Sequence, residues 1–135
     1  MRVTVPISVG ELLDKITILE IKAERIADRK KLANVEAELA LLVERRQALG
    51  LAAGSEAAEI DRLIAELGAV NRRLWEVEDR LRALEGEGDF GAGFVALARS
   101  VYRENDRRAE LKRRLNELTG SELIEEKSYS APDAR

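Results

Sequence analysis

Residues 6–22, PISVGELLDKITILEIK, begin a helix and then put apolar side chains on more than one side of it. Ser8 and Glu11 have the spacing of a capping box. The serine hydroxyl can accept from the Glu11 backbone N–H, and the Glu11 carboxylate can reach back to the Ser8 N–H. Ile7 and Leu12 form the matching hydrophobic staple. From Glu11 to Leu49 the chain has neither Gly nor Pro. Leu12, Ile16, Leu19, Ala23 and Ile26 repeat at four and three, and Leu32, Val35, Leu39, Leu42 and Leu49 repeat later in a different phase. The pattern predicts one long helix over about 9–49. ADRKK, residues 27–31, is where it bends or rotates its buried face.

Upstream, RVTVPI alternates Val3 and Val5 with Arg2 and Thr4 and ends at Pro6, which predicts a short N-terminal extended strand. Downstream, GLAAGS (50–55) is a turn. Ile60, Leu63, Leu67, Val70, Leu74, Val77, Leu81 and Leu84 then alternate steps of three and four without a miss, a coiled-coil seam on a second helix over about 56–84. The short loop before it predicts an antiparallel hairpin with the first helix. EGEGDFGAG breaks the chain. A third helix over about 91–118 carries Phe94, Leu97, Val101, Leu111, Leu115 and Leu118 on one seam, interrupted by Glu104 and Arg108. The fold class is therefore all-α, in one domain over 1–128, with 129–135 as a flexible tail.

At about 1.5 Å per residue the first helix is roughly 60 Å long and the second roughly 43 Å, so the start of the first helix overhangs the hairpin. Leu12, Ile16, Ile18 and Ile21 occupy that overhang on two faces, and each is worth about 1.5–3 kcal/mol when buried. The economical cover is a second copy, so a homodimer is expected through these residues, with Trp75 as rim packing; the alternative is a monomer in which the first helix breaks near 28–31 and its front half sits at the centre of a compact bundle.

With no Cys and no His, thiolate chemistry, disulfides, the commonest general base and the commonest transition-metal ligand are missing. A net charge of −3 speaks against nucleic-acid binding. No apolar run reaches the roughly 18 residues of a membrane span, and the N-terminal residues lack a signal-peptide core, so membrane insertion is not expected and a cytoplasmic location is. Acid pairs such as Glu11 with Asp14, or Glu76, Glu78 and Asp79, read as solvated helix faces, and no metal site or cofactor is implied. GEGDFGAG lacks the Gly-Lys-Ser/Thr ending of a phosphate loop. The most suggestive charges are basic rows: Lys22, Arg25 and Arg29 on the first helix, and Arg99, Arg103 and Arg107 on the third, extended by Lys112, Arg113 and Arg114. If those helices are neighbours, the rows could bracket a carboxylate or phosphate. Asn105 is the polar residue expected to be buried.

ISVGELLDKITILEIK and SVYRENDRRAELKRRLNELTGSELIEEKSY resemble a family of small bacterial helical proteins of unknown function. The resemblance covers about half of the chain and implies a setting near genes of cell-surface polysaccharide assembly. The resulting expectation is a non-enzymatic interaction or scaffold protein with a protein partner. LLDKITILEIKAERIADRKK is also similar to the first helix of all-helical chorismate mutases, which implies the alternative of a small-anion enzyme with Arg25, Lys31, and Arg103 or Arg107 as its cations. The spacing expected in that family's second helix is missing.

Overall fold

The computed structural model describes residues 1–130. Four α-helices follow one another: α1 (Val9–Arg25), α2 (Arg29–Ala48), α3 (Ala57–Glu87) and α4 (Ala92–Thr119), with a 3₁₀ turn at Leu51–Ala53. α1 packs against each of the other three, whereas α2 packs chiefly on α1. α3 and α4 run in opposite directions, as the Arg73–Glu104 and Arg107–Glu66 pairs require.

The single first helix over 9–49 is in fact two. The chain is extended at Ile26 (φ −83°, ψ 123°), and Asp28 caps a new helix by accepting from the Lys31 backbone N–H at 2.9 Å. The two apolar stripes were out of phase because they belong to separate helices. The break removes the overhang. Leu12, Ile16 and Ile21 are 7%, 1% and 2% exposed within one chain, so they need no second copy to cover them. The antiparallel partner of the seam helix also differs from expectation: it is α4, while α1 lies beside α3 in the same direction, with Asn71 bonded to Asp14 and Glu76 paired with Arg25.

No strand forms among the described residues. Residues 1–7 carry no regular structure, and Val3 and Val5 are exposed, because no neighbouring backbone lies alongside to pair with them. The segment after α4 is held by charge. Leu123, Ile124 and Tyr129 remain exposed, and charge ties the segment down instead, through Glu125 to Lys112, Glu126 to Arg113 and Lys127 to Asp106. Of the tail expected over 129–135, residues 131–135 lie outside the described residues.

The core is Leu13 of α1 set among Ile60, Leu63, Leu67 and Val70 of α3 and Leu111 and Leu115 of α4. The Ser8 hydroxyl accepts from Glu11 N–H at 3.0 Å, as the capping box requires, but the Glu11 carboxylate turns away to Lys112. Gly10 sets the α1–α4 spacing. Its N–H donates to Asn116 Oδ1 at 2.6 Å, and a Cβ there would lie 2.5 Å from the Lys112 backbone oxygen. Gly120 (φ +65°) ends α4 in the left-handed conformation that favours glycine.

Gly10→Ala tests that contact by the sign of its effect. Helix propensity alone favours Ala by up to about 1 kcal/mol. The backbone clash reverses this, and urea unfolding is expected to show a net loss of about 1–3 kcal/mol.

Candidate functional site between two grooves

Asp14 follows Leu13 in α1 and is 0% exposed. Burying a carboxylate is costly unless it is paired and hydrogen-bonded. Here α4 supplies the pair. Arg108 Nε donates to both carboxylate oxygens at 2.9 and 3.1 Å, and Nη2 donates to Oδ2. α3 supplies the hydrogen bond. Asn71 Nδ2 donates to Asp14 Oδ1 and to Thr17 Oγ1, each at 2.8 Å, and the Thr17 hydroxyl donates to the Asp14 carbonyl. Lys112, one turn beyond Arg108, sits between Glu11, Asp14 and Glu125. The hydrogen bonds with Asp14 raise the Arg108 pKa, with desolvation opposing and the charges of Asp14 and Glu11 adding to the rise. A guanidinium held above its ordinary value stays charged across the neutral and acid range.

Arg108 and Asn105 line two grooves at once. On one side is a cleft of ≈ 400 Å³ walled by Ile18, Ile21, Leu74 and Trp75, with Asn71 on its floor and Glu78, Asp79 and Arg82 at its rim. On the other is a longer groove of ≈ 980 Å³ between α4 and the tail, lined by Val101, Tyr102, Ala109, Lys127 and Tyr129. The one Trp and both Tyr of the chain thus lie along a single band centred on Arg108.

The six cations of the basic rows line neither groove. Arg25 pairs with Glu76, and Arg107 with Glu66 and Glu110. Arg103 lies 5.9 Å over the Tyr102 ring. Lys22 is half-buried, while Arg29 and Arg99 are exposed. Of the residues expected at an interface, the structure brings Ile18, Ile21 and Trp75 together in the cleft and leaves Leu12 and Ile16 in the interior. Asn105 is half-buried at the junction of the grooves, and the buried asparagines are Asn71 and Asn116 instead.

Sequence reasoning missed Asp14, Asn71 and Arg108 as a unit. By spacing alone Glu11 and Asp14 read as a solvated face, and Arg108 only as a gap in a seam. The available signal was the match between an acid inside an apolar helix and a base inside another helix's apolar seam. Glu104, the other interruption, pairs with Arg73, and its Oε2 is buried without a partner.

The model of a family of unknown function, DUF6165, matches residues 1–135. The chain belongs to that family. The match includes the heptad-rich middle as well as the two end segments that carry the resemblance. No curated protein and no solved structure matches the chain. Among the described residues, no helix is long and apolar enough to cross a membrane, and no group of three or more His, Cys, Asp or Glu could hold a metal ion.

Arg108→Met leaves Asp14 buried with only the shared Lys112 at 4.0 Å as counter-charge and is expected to cost about 3–5 kcal/mol in urea unfolding. Replacing both partners, Arg108→Met with Asp14→Leu, removes the stranded charge. The double variant is expected to be more stable than Arg108→Met alone.

Proposed function

We propose that this protein is a non-enzymatic helical interaction module whose partner-binding surface is the band through Trp75, Arg108, Tyr102 and Tyr129. The supporting observation is the shared wall: two open grooves meet at Arg108 and Asn105 and gather every Trp and Tyr of the chain. Trp, Tyr and Arg are the residues enriched where interfaces concentrate binding energy. The cleft is open at Glu78, Asp79 and Arg82, which are exposed, so it cannot enclose a small ligand in the way that most small-molecule sites do. It suits an apolar or aromatic side chain of a partner protein, flanked by groups able to bond Asn71, Asn105 and Arg108.

Chemistry argues in the same direction. Asp14 is engaged by Arg108 and Asn71, and Glu11 by Lys112, so both carboxylates already serve as internal partners. Arg108 carries a charge already offset by Asp14, which makes it an oriented donor and a poor trap for an anion. The mutase-like alternative relied on rows of free cations, and two of those are neutralised by carboxylates.

The test pairs two variants. Trp75→Ala with Tyr102→Ala is expected to lower capture of the cellular partner by about tenfold or more, as loss of hot-spot aromatics does. Arg103→Ala with Arg107→Ala is expected to leave capture unchanged. Emission of the single Trp should shift when the purified partner is added. Malate or inorganic phosphate should leave the melting temperature unchanged. A rise with either anion that Arg103→Ala with Arg107→Ala abolishes would move the function to the basic rows.

A further inference from the structure

Beyond the α1–α2 break, α3 and α4 continue without a third helix. α1 ends at Arg25, beside Glu76. Residues 77–87 of α3 therefore project by about 16 Å, with the first turns of α4 alongside. The seam persists along this arm, but two helices cannot seal it. Val77, Leu81, Leu84, Phe94, Leu97 and Val101 are only half-buried, against nearly complete burial of Leu63, Leu67 and Leu115 in the four-helix part. Val95 and Phe90 stand 49% and 54% exposed.

The arm's charge is divided between its helices. From Val77 to Asp89 there are five carboxylates and two guanidinium groups; from Ala92 to Arg103 there are two guanidinium groups and no carboxylate. It is also divided along the length. Glu85 and Glu87 lie at the tip on α3, and Arg99 and Arg103 towards the root on α4. All four are exposed, and none makes an ion pair among the described residues. Within one chain the basic root and the acidic tip cannot meet, since they are at opposite ends of the arm.

We infer that the arm pairs with the arm of a second copy, antiparallel and about a two-fold axis, as a four-helix bundle. Turning a hairpin through that axis sets the acidic tip of each copy against the basic root of the other and covers both half-open seams at once. This self-matching of charge is what selects a second copy as the occupant. The contact is separate from the α1 overhang expected from the sequence, and it does not rest on the partner-binding band.

The experiment is molar mass by light scattering behind a sizing column, over a dilution series up to about 100 μM, with sedimentation equilibrium for the dissociation constant. The wild type is expected to reach twice the chain mass. Arg99→Glu with Arg103→Glu is expected to weaken the dimer by about tenfold or more while leaving the helical circular dichroism unchanged. Adding Glu85→Arg and Glu87→Arg to that variant restores opposite charges across the axis and is expected to recover the affinity. A wild type with the mass of one chain throughout the series overturns the proposal. So does a dimer indifferent to the first charge reversal, or a weakened dimer that the compensating reversal does not rescue.

Discussion

A carboxylate with no exposure to water needs a counter-charge, and Asp14 in α1 obtains one from Arg108 in α4. The requirement extends well beyond two residues. Nε and Nη2 can face both oxygens of Asp14 only if α1 and α4 are held at one separation and one register. Gly10 permits that separation by lacking a Cβ against the Lys112 carbonyl. Asn71 then draws α3 into the same register by donating to Asp14 and Thr17. Three helices are thus indexed by one buried charge. Apolar packing of Leu13 among Leu67, Leu111 and Leu115 supplies the larger share of cohesion, but it tolerates sliding. A bidentate pair does not.

The same pair gives the surface its character. Because Asp14 fixes the guanidinium from below, Arg108 cannot swing out to meet an anion, and the rest of its side chain becomes a rigid wall shared by two grooves. An Arg that is already ordered loses little conformational freedom when a partner docks against it, which is the usual cost of recruiting a long side chain. Trp75 and Tyr102 on either side are likewise bulky side chains with few torsions to fix. The internal pair that sets helix register is thereby also the support for the external band.

Much of this fold was legible in the chain. The Ser8 cap, the Gly-rich break and the seam from Ile60 to Leu84 each act through local geometry, which a sequence displays directly. The change of phase near ADRKK was visible as well, but whether it rotates a face or breaks the helix depends on what the second stripe packs against. That is a tertiary fact. The alternation of Val3 and Val5 promised a strand for the same local reason, and no strand formed because pairing needs a neighbour that alternation cannot supply. The basic rows misled through their regularity: spacing put Arg99, Arg103 and Arg107 on one helix face but carried no information about Glu66 or Glu110, which neutralise the last of them.

The candidate site was the least legible part because its members are far apart in the chain and of opposite charge. Asp14 and Arg108 are separated by 94 positions, and each alone looks like a flaw in an apolar pattern. A charged residue inside a seam has two physical outcomes. It can pair sideways with a surface residue, or it can reach inward to a buried partner. Glu104 and Arg108, one turn apart on α4, divide between these outcomes. Glu104 pairs sideways with Arg73, an exposed residue, and keeps one oxygen unpartnered, whereas Arg108 reaches inward to a carboxylate whose other cation, Lys112, is shared with Glu11 and Glu125. What separates them is the helix opposite. α1 offers Asp14 to Arg108, whereas Glu104 finds its cation on α3. An interrupted seam is therefore best read by searching the remaining helices for the interruption of opposite sign, since a buried charge is stable only where another helix was interrupted to meet it.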